Sequence, residues 1–207
     1  MRFREATCSM LLIGFLLPLP SLLILQIPYP AYAQTKQNQK AEADRLLFEG
    51  VQQDQAKQYE AALKSWKQAL TLYRRLQDRD GEGNVLMSLG NTYQRLSQYD
   101  KAITCLQQLL PIYQQNQDHA AVGLTLANLG FSYKFLSQYD KAIASLQQSV
   151  KVWESIRAET RSRYGEDGFD AFYVELISPT YQELAELLKK QGRDSEAQQV
   201  LNLLTVK

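Results

Sequence analysis

The chain has 207 residues, is 45% hydrophobic and carries a net charge of +1. Charge so close to balance excludes the basic surface that nucleic-acid binding requires. A single histidine and two cysteines provide no ligand set for a structural metal, and no motif points to a cofactor.

Residues 1–33 read differently from the rest. Arg2 and Arg4 precede an apolar run from Met10 to Ile27 that is broken by Pro18 and Pro20, and the small-residue triplet Ala31-Tyr32-Ala33 follows. That order is the order of a secretory signal peptide with an Ala-x-Ala cleavage site. A transmembrane anchor is the competing reading, against which the two prolines and the triplet count. Cleavage would start the mature chain at Gln34, exported to the periplasm or outside the cell and free of the membrane. Cys8 lies near the start of the apolar run, away from the place of a lipidated cysteine. Removing Arg2, Arg4 and Glu5 leaves no net charge, and only Cys105 remains, at a position where the related copy has Ser145. A small packing residue is expected there. Residues 34–40 form a short polar segment, expected to be disordered.

From residue 41 the chain repeats itself. Gly50, Gly90 and Gly130 stand 40 residues apart, and Ala62, Ala102 and Ala142 follow each at the same distance. Period-40 similarity predicts a solenoid, with repeats at about 43–82, 83–122 and 123–162. In the second copy Leu86, Leu89, Gly90 and Tyr93 keep helical spacing, as do Ala102, Ile103, Leu106 and Leu110 after the break Leu96-Ser97-Gln98-Tyr99, so each repeat is two helices. Asp100 falls in the first turn of the second helix, where a carboxylate suits the helix dipole. Pro111 is expected to kink or end that helix near Leu110. Glycine inside a helix costs about 1 kcal/mol against alanine, so its recurrence calls for close approach of the paired helices.

Leu86, Leu89-Gly90, Tyr93, Ala102 and Leu106, and again Leu126, Leu129-Gly130, Tyr133, Ala142 and Leu146, resemble the tetratricopeptide repeat (TPR). The period of 40, longer than the usual 34 or so, and the connector Gln77–Gly83 resemble a longer subclass found in scaffold and adaptor proteins and in secreted bacterial repeat proteins. The resemblance implies an all-α, right-handed solenoid of about four TPR-like helix pairs that binds a protein or peptide in a concave groove and has no catalytic activity. Repeat one departs from the pattern, with Glu49 and Gln53 in place of Leu and Tyr, as an end repeat does.

Repeat four, about 178–207, carries Tyr181, Leu184-Ala185, Leu188, Ala197 and Leu201 at the matching places, after an insert over 157–177. A longer second helix in repeat three, a turn at Gly165 to Gly168 and a short extra helix packing Phe169, Phe172 and Tyr173 are expected there. The alternative is a mobile lid over the groove. The segment from Tyr181 to Leu204 resembles the joint between TPR repeats and the caspase-like peptidase domain of secreted bacterial CHAT-type proteins. That resemblance implies a second reading, the recognition or regulatory part of such a peptidase system, truncated before the catalytic domain.

Catalysis of that type needs His and Cys together, and His119 and Cys105 fall at a connector and a helix interior. Binding residues are expected on the first-helix stripe turned away from the partner helix: Asn84, Met87, Asn91, Gln94 and Arg95 in repeat two, and Asn128, Phe131, Lys134 and Phe135 in repeat three. Asn91 and Asn128 suit hydrogen bonds to an extended main chain, and the aromatics and Met87 suit apolar anchors. At the end of the chain, Ala197, Val200, Leu201 and Leu204 form one buried stripe. Leu203 and Val206 fall to its side, which predicts an exposed docking edge and possible self-association through it.

Overall fold

In the computed structural model, residues 29–164 and 171–205 are described. They form eight helices and no strand: α1 (Tyr29–Gln55), α2 (Tyr59–Leu76), α3 (Arg79–Arg95), α4 (Tyr99–Gln115), α5 (His119–Phe135), α6 (Tyr139–Tyr164), α7 (Ala171–Lys190) and α8 (Asp194–Thr205). Each helix packs against the next in the chain, and α1 also touches α3. Contacts confined to neighbours in this way make the molecule an all-α solenoid of four helix pairs.

Turn geometry sets the period. Lys57, Gln77, Ser97, Gln117 and Ser137 all adopt left-handed backbone, φ 56 to 59°, one every 20 residues. At each, two backbone bonds close the helix end: the Ser97 N–H reaches the Gln94 carbonyl at 2.9 Å and the Gln98 N–H the Tyr93 carbonyl at 2.8 Å, with the same pair at Ser137 and Gln138. This Schellman closure satisfies carbonyls that a helix end otherwise leaves open. The helices that follow Gln77 and Gln117 begin with a side-chain cap, Asp78 accepting from the Gly81 N–H at 2.9 Å and Asp118 from the Ala121 N–H at 3.0 Å.

Close approach explains the helical glycines. Ala62, Ala102 and Ala142 are fully buried, and a Cβ on Gly130 would lie 2.5 Å from Leu146 Cγ and 3.2 Å from the Ala142 carbonyl oxygen. In repeat one, Trp66 takes the place of Leu106 and fills the space over Gly50, its indole N–H bonding the Leu47 carbonyl at 3.2 Å. Gln53, standing where Tyr would, is satisfied by Ser65, whose hydroxyl donates to it at 2.8 Å. Cys105 is buried within α4, and burial pushes its thiol up to about 11.

Several expected boundaries move. Residues 34–40 are not a loose segment but part of α1, and the connector before Asn84 shrinks to Gln77-Asp78, because the Asp78 cap starts α3 at Arg79 with Gly81 and Gly83 inside the helix. Pro111 does not end α4, which continues to Gln115 even though a proline inside a helix removes a backbone hydrogen bond and crowds the carbonyl four residues before it. The insert lengthens α6 to Tyr164 and α7 back to Ala171, in place of a separate extra helix. Gly165 to Gly168, Phe169, Phe172 and Tyr173, with the expected packing or lid, lie outside the described residues or side chains, as do residues 1–28 and Val206. Among the described residues no helix is long and apolar enough to cross a membrane.

The last helix also differs from expectation. Leu203 is half-buried and packs with Val200, Leu201 and Leu204 against the core of α6 and α7. Overlength α6 is the cause: Arg157, buried at its side, donates to the Leu203 carbonyl at 2.7 Å and pairs with Glu154 at 2.9 Å, while the Tyr181 hydroxyl donates to Glu154 at 2.7 Å. Asp194, Ser195, Glu196, Gln198, Gln199 and Asn202 are the exposed residues among the described side chains of α8, so the outer side of this helix is polar.

Candidate functional site

The first helices of the pairs, α1, α3, α5 and α7, share a face turned away from their partner helices. Core residues Leu86, Leu89, Gly90 and Tyr93 occupy the inner side of α3, which leaves Asn84, Met87, Asn91 and Arg95 on the outer side. The 40-residue register places Asn91 and Phe131 at equivalent positions of adjacent pairs, and likewise Asn84 with Leu124 and Arg95 with Phe135.

Polar links tie these helices together at one repeat position. Asp54 of α1 accepts from Thr92 at 2.9 Å and pairs with Arg95. Gln94, the equivalent residue of α3, donates to the Ser132 hydroxyl at 2.8 Å and the Asn128 carbonyl at 3.1 Å. Lys134, the equivalent of α5, pairs with Glu183 of α7 at 2.7 Å. Gln94, Arg95 and Lys134, expected as contacts for a partner, are therefore engaged within the array, and Asn128 contributes a main-chain oxygen to the same link. Sequence reading left Thr92, Ser132 and Glu183 out of the face. The available signal was the recurrence of a long polar side chain at 54, 94 and 134.

Apolar groups make up much of the remainder. Phe48 is 63% exposed, Met87 40%, Leu124 37% and Phe135 59%, whereas Phe131 and Asn91 are half-buried. Phe135 stacks on Tyr99 of the preceding pair, ring centroids 4.6 Å apart and nearly parallel, so it stands at the turn edge of the face. Met87 sits beside the Tyr113 hydroxyl, at 3.5 Å from its sulfur. His119 is exposed at the start of α5 and Cys105 is buried in α4, so the two reactive side chains occupy different environments. Two depressions lie at the turn edges, one of 630 Å³ along Ser137–Lys141 and Gln191, the other of 260 Å³ between His119 and the Lys151–Glu159 stretch of α6. Among the described residues no cluster of His, Cys, Asp and Glu is suited to a metal.

A family model described as "Tetratricopeptide repeat" matches residues 55–115 and, in a second register, 82–155. The chain belongs to the tetratricopeptide-repeat family. No curated protein matches it. Among solved structures it is similar to aspartyl phosphate phosphatase F from Bacillus subtilis, at 17% identity and TM-score 0.63, over 80% of this chain and 40% of that one. The apo form of RapI is similar at 15% identity and TM-score 0.65, over 84% and 46%. This TPR chain spans less than half the length of either, and the likeness is one of fold.

Proposed function

We propose that this TPR chain is a non-catalytic scaffold that holds a peptide or protein segment on the outer face of α1, α3, α5 and α7. The observation that carries the reading is the run of exposed apolar side chains on that face, Phe48, Met87, Leu124 and Phe135, around half-buried Phe131 and Asn91. Large apolar groups grouped on one face of a soluble array mark an interaction surface, and a held register of parallel helices lowers the ordering cost of binding. Phe131→Ala and Asn91→Ala should each weaken a bound segment about tenfold without shifting the melting midpoint, since hot-spot side chains of this kind contribute 1 kcal/mol or more. Unchanged affinity in both variants, measured by calorimetry against the same segment, would remove the face from the reading.

Export belongs to the same proposal. Arg2, Arg4, the apolar run and Ala31-Tyr32-Ala33 support cleavage before Gln34, and among the described side chains Ala43 is the first that is buried, well beyond that point. N-terminal sequencing of the mature protein decides it; retention of the apolar segment overturns it. The resemblance of the chain's end to the joint of CHAT-type proteins makes a caspase-like peptidase one partner to test.

A further inference from the structure

At the seams between the helices of the binding face, charges are matched to one another. Arg95 is paired with Asp54, Lys134 with Glu183, and Glu186 with Lys190 on the same helix. The two acidic partners of the inter-helix pairs are well covered, the side chain of Asp54 being 15% exposed and that of Glu183 13%. A ligand carboxylate drawing Arg95 or Lys134 to itself would leave one of these largely covered carboxylates without its ion-pair partner, which opposes the exchange. A ligand cation finds no carboxylate on α5, and the two on α3 lie in its first turn, away from Asn91 and Phe131: exposed Asp80 accepts from the neutral amide of Asn116, and Glu82 is held by Arg74 and Arg79. The groups left open on the two central helices include the side-chain amides of Asn84, Asn91 and Asn128 and the apolar surfaces of Met87, Leu124, Phe131 and Phe135.

We infer that the partner is a polypeptide segment without net charge, its apolar side chains seated on Met87, Phe131 and Phe135 and its main chain held by the amides of Asn84 and Asn91. The assignment rests on the peptide-binding reading above. Its physical content is a selection rule. Apolar burial supplies the attraction, carboxamides satisfy the donors and acceptors of an extended main chain, and the closed ion pairs on the face reject acidic and basic segments alike, a form of specificity by exclusion.

The test is selection of a random peptide library, displayed on phage, against the immobilised full chain. The expected result is enrichment of aromatic and aliphatic peptides without net charge, whose synthetic versions change affinity by less than about twofold between about 0.1 M and about 1 M sodium chloride, a range over which exposed charge interactions are screened away. The Asp54→Asn variant, which keeps an acceptor for Thr92 but leaves Arg95 without its carboxylate, should newly enrich acidic peptides. Enrichment of charged peptides by the parent chain, or affinity falling about tenfold over that salt range, overturns the neutral-partner inference and leaves the peptide face standing. An Asp54→Asn variant with unchanged preference overturns it as well, because the ion pair would then not be what excludes charge. No enrichment at all, or peptides that bind Phe131→Ala as well as the parent, overturns both readings.

Discussion

Gly130 and Gly90 occupy the same place in consecutive repeats, yet their surroundings differ in a way that decides what a side chain would cost. A methyl on Gly90 would meet Leu106 Cδ2 at 3.3 Å, the end of a side chain that can yield, whereas on Gly130 it would strike Leu146 Cγ at 2.5 Å with the Ala142 carbonyl oxygen close behind. Overpacking of that kind costs about 1–3 kcal/mol, against about 1 kcal/mol gained from helix propensity. Gly130→Ala should therefore destabilise the protein by about 1 kcal/mol or more and Gly90→Ala by close to nothing, read as shifts in urea midpoint at constant slope; equal midpoints would remove close approach as the reason for the third glycine. Asp78 offers a pH test. Burial opposes its ionisation, but the Lys40 ammonium at 2.6 Å and the Gly81 N–H outweigh that and hold its carboxyl below the ordinary value. A carboxyl lowered in the folded state adds stability that is present above the unfolded value, near pH 4, and is lost as pH falls through the folded one. The advantage of the parent over Asp78→Asn should be about 0.5 kcal/mol at pH 7, modest because Lys40 is half-exposed, and should vanish once the pH has fallen below the folded value. An advantage that persists in acid would assign the effect to the cap alone.

Helices in this chain are bounded by their turns. Among the described residues five that are not glycine, Lys57, Gln77, Ser97, Gln117 and Ser137, hold left-handed backbone, a conformation that costs a residue with a Cβ about 1 kcal/mol, whereas the turn at Gly192 uses glycine. Ser97 and Ser137 are exposed. Ser97→Gly and Ser137→Gly should each raise stability by about 0.5 kcal/mol, the relief being partly offset by the greater freedom of glycine in the unfolded chain. Thermal melts of the double variant check this, and a lower midpoint would mean that the serines contribute something other than backbone geometry. The half-repeat of 20 was readable in the sequence only as a break between two apolar stripes. Which residue turns left-handed is settled by where the two helices meet.

At the scale of the molecule, contacts run only between neighbours, so an end repeat has half the support of a central one. The far end is held by a polar cluster that no repeat pattern contains: Arg157 on overlength α6 bridges Glu154 and the Leu203 carbonyl, and Tyr181 completes it. Arg157→Ala should cost about 2–3 kcal/mol, since it removes a buried charge partner and uncovers a carbonyl. Hydrogen exchange should quicken in α8 while α3 and α4 keep their protection. Uniform loss of protection along the chain would show that the array unfolds as one unit and that α8 is no separate element.

Local order was legible because it is written in local terms: the 40-residue period, the Gly and Ala positions and the apolar stripes all follow from 3.6-residue spacing and from what glycine permits. These determined an all-helical repeat array and the face on which a partner would be sought. Tertiary structure alone decided which polar residues of that face stay open, because Asp54, Gln94 and Lys134 find their partners 34 to 49 residues away, across helix seams that no spacing rule records. It decided equally how α8 is covered, since Leu203 is half-buried and Arg157 bonds its carbonyl only because α6 outgrew its repeat. Periodicity specifies which side of a helix is buried; the reach of a side chain to the next helix, and so its availability to a ligand, depends on how the helices are set side by side.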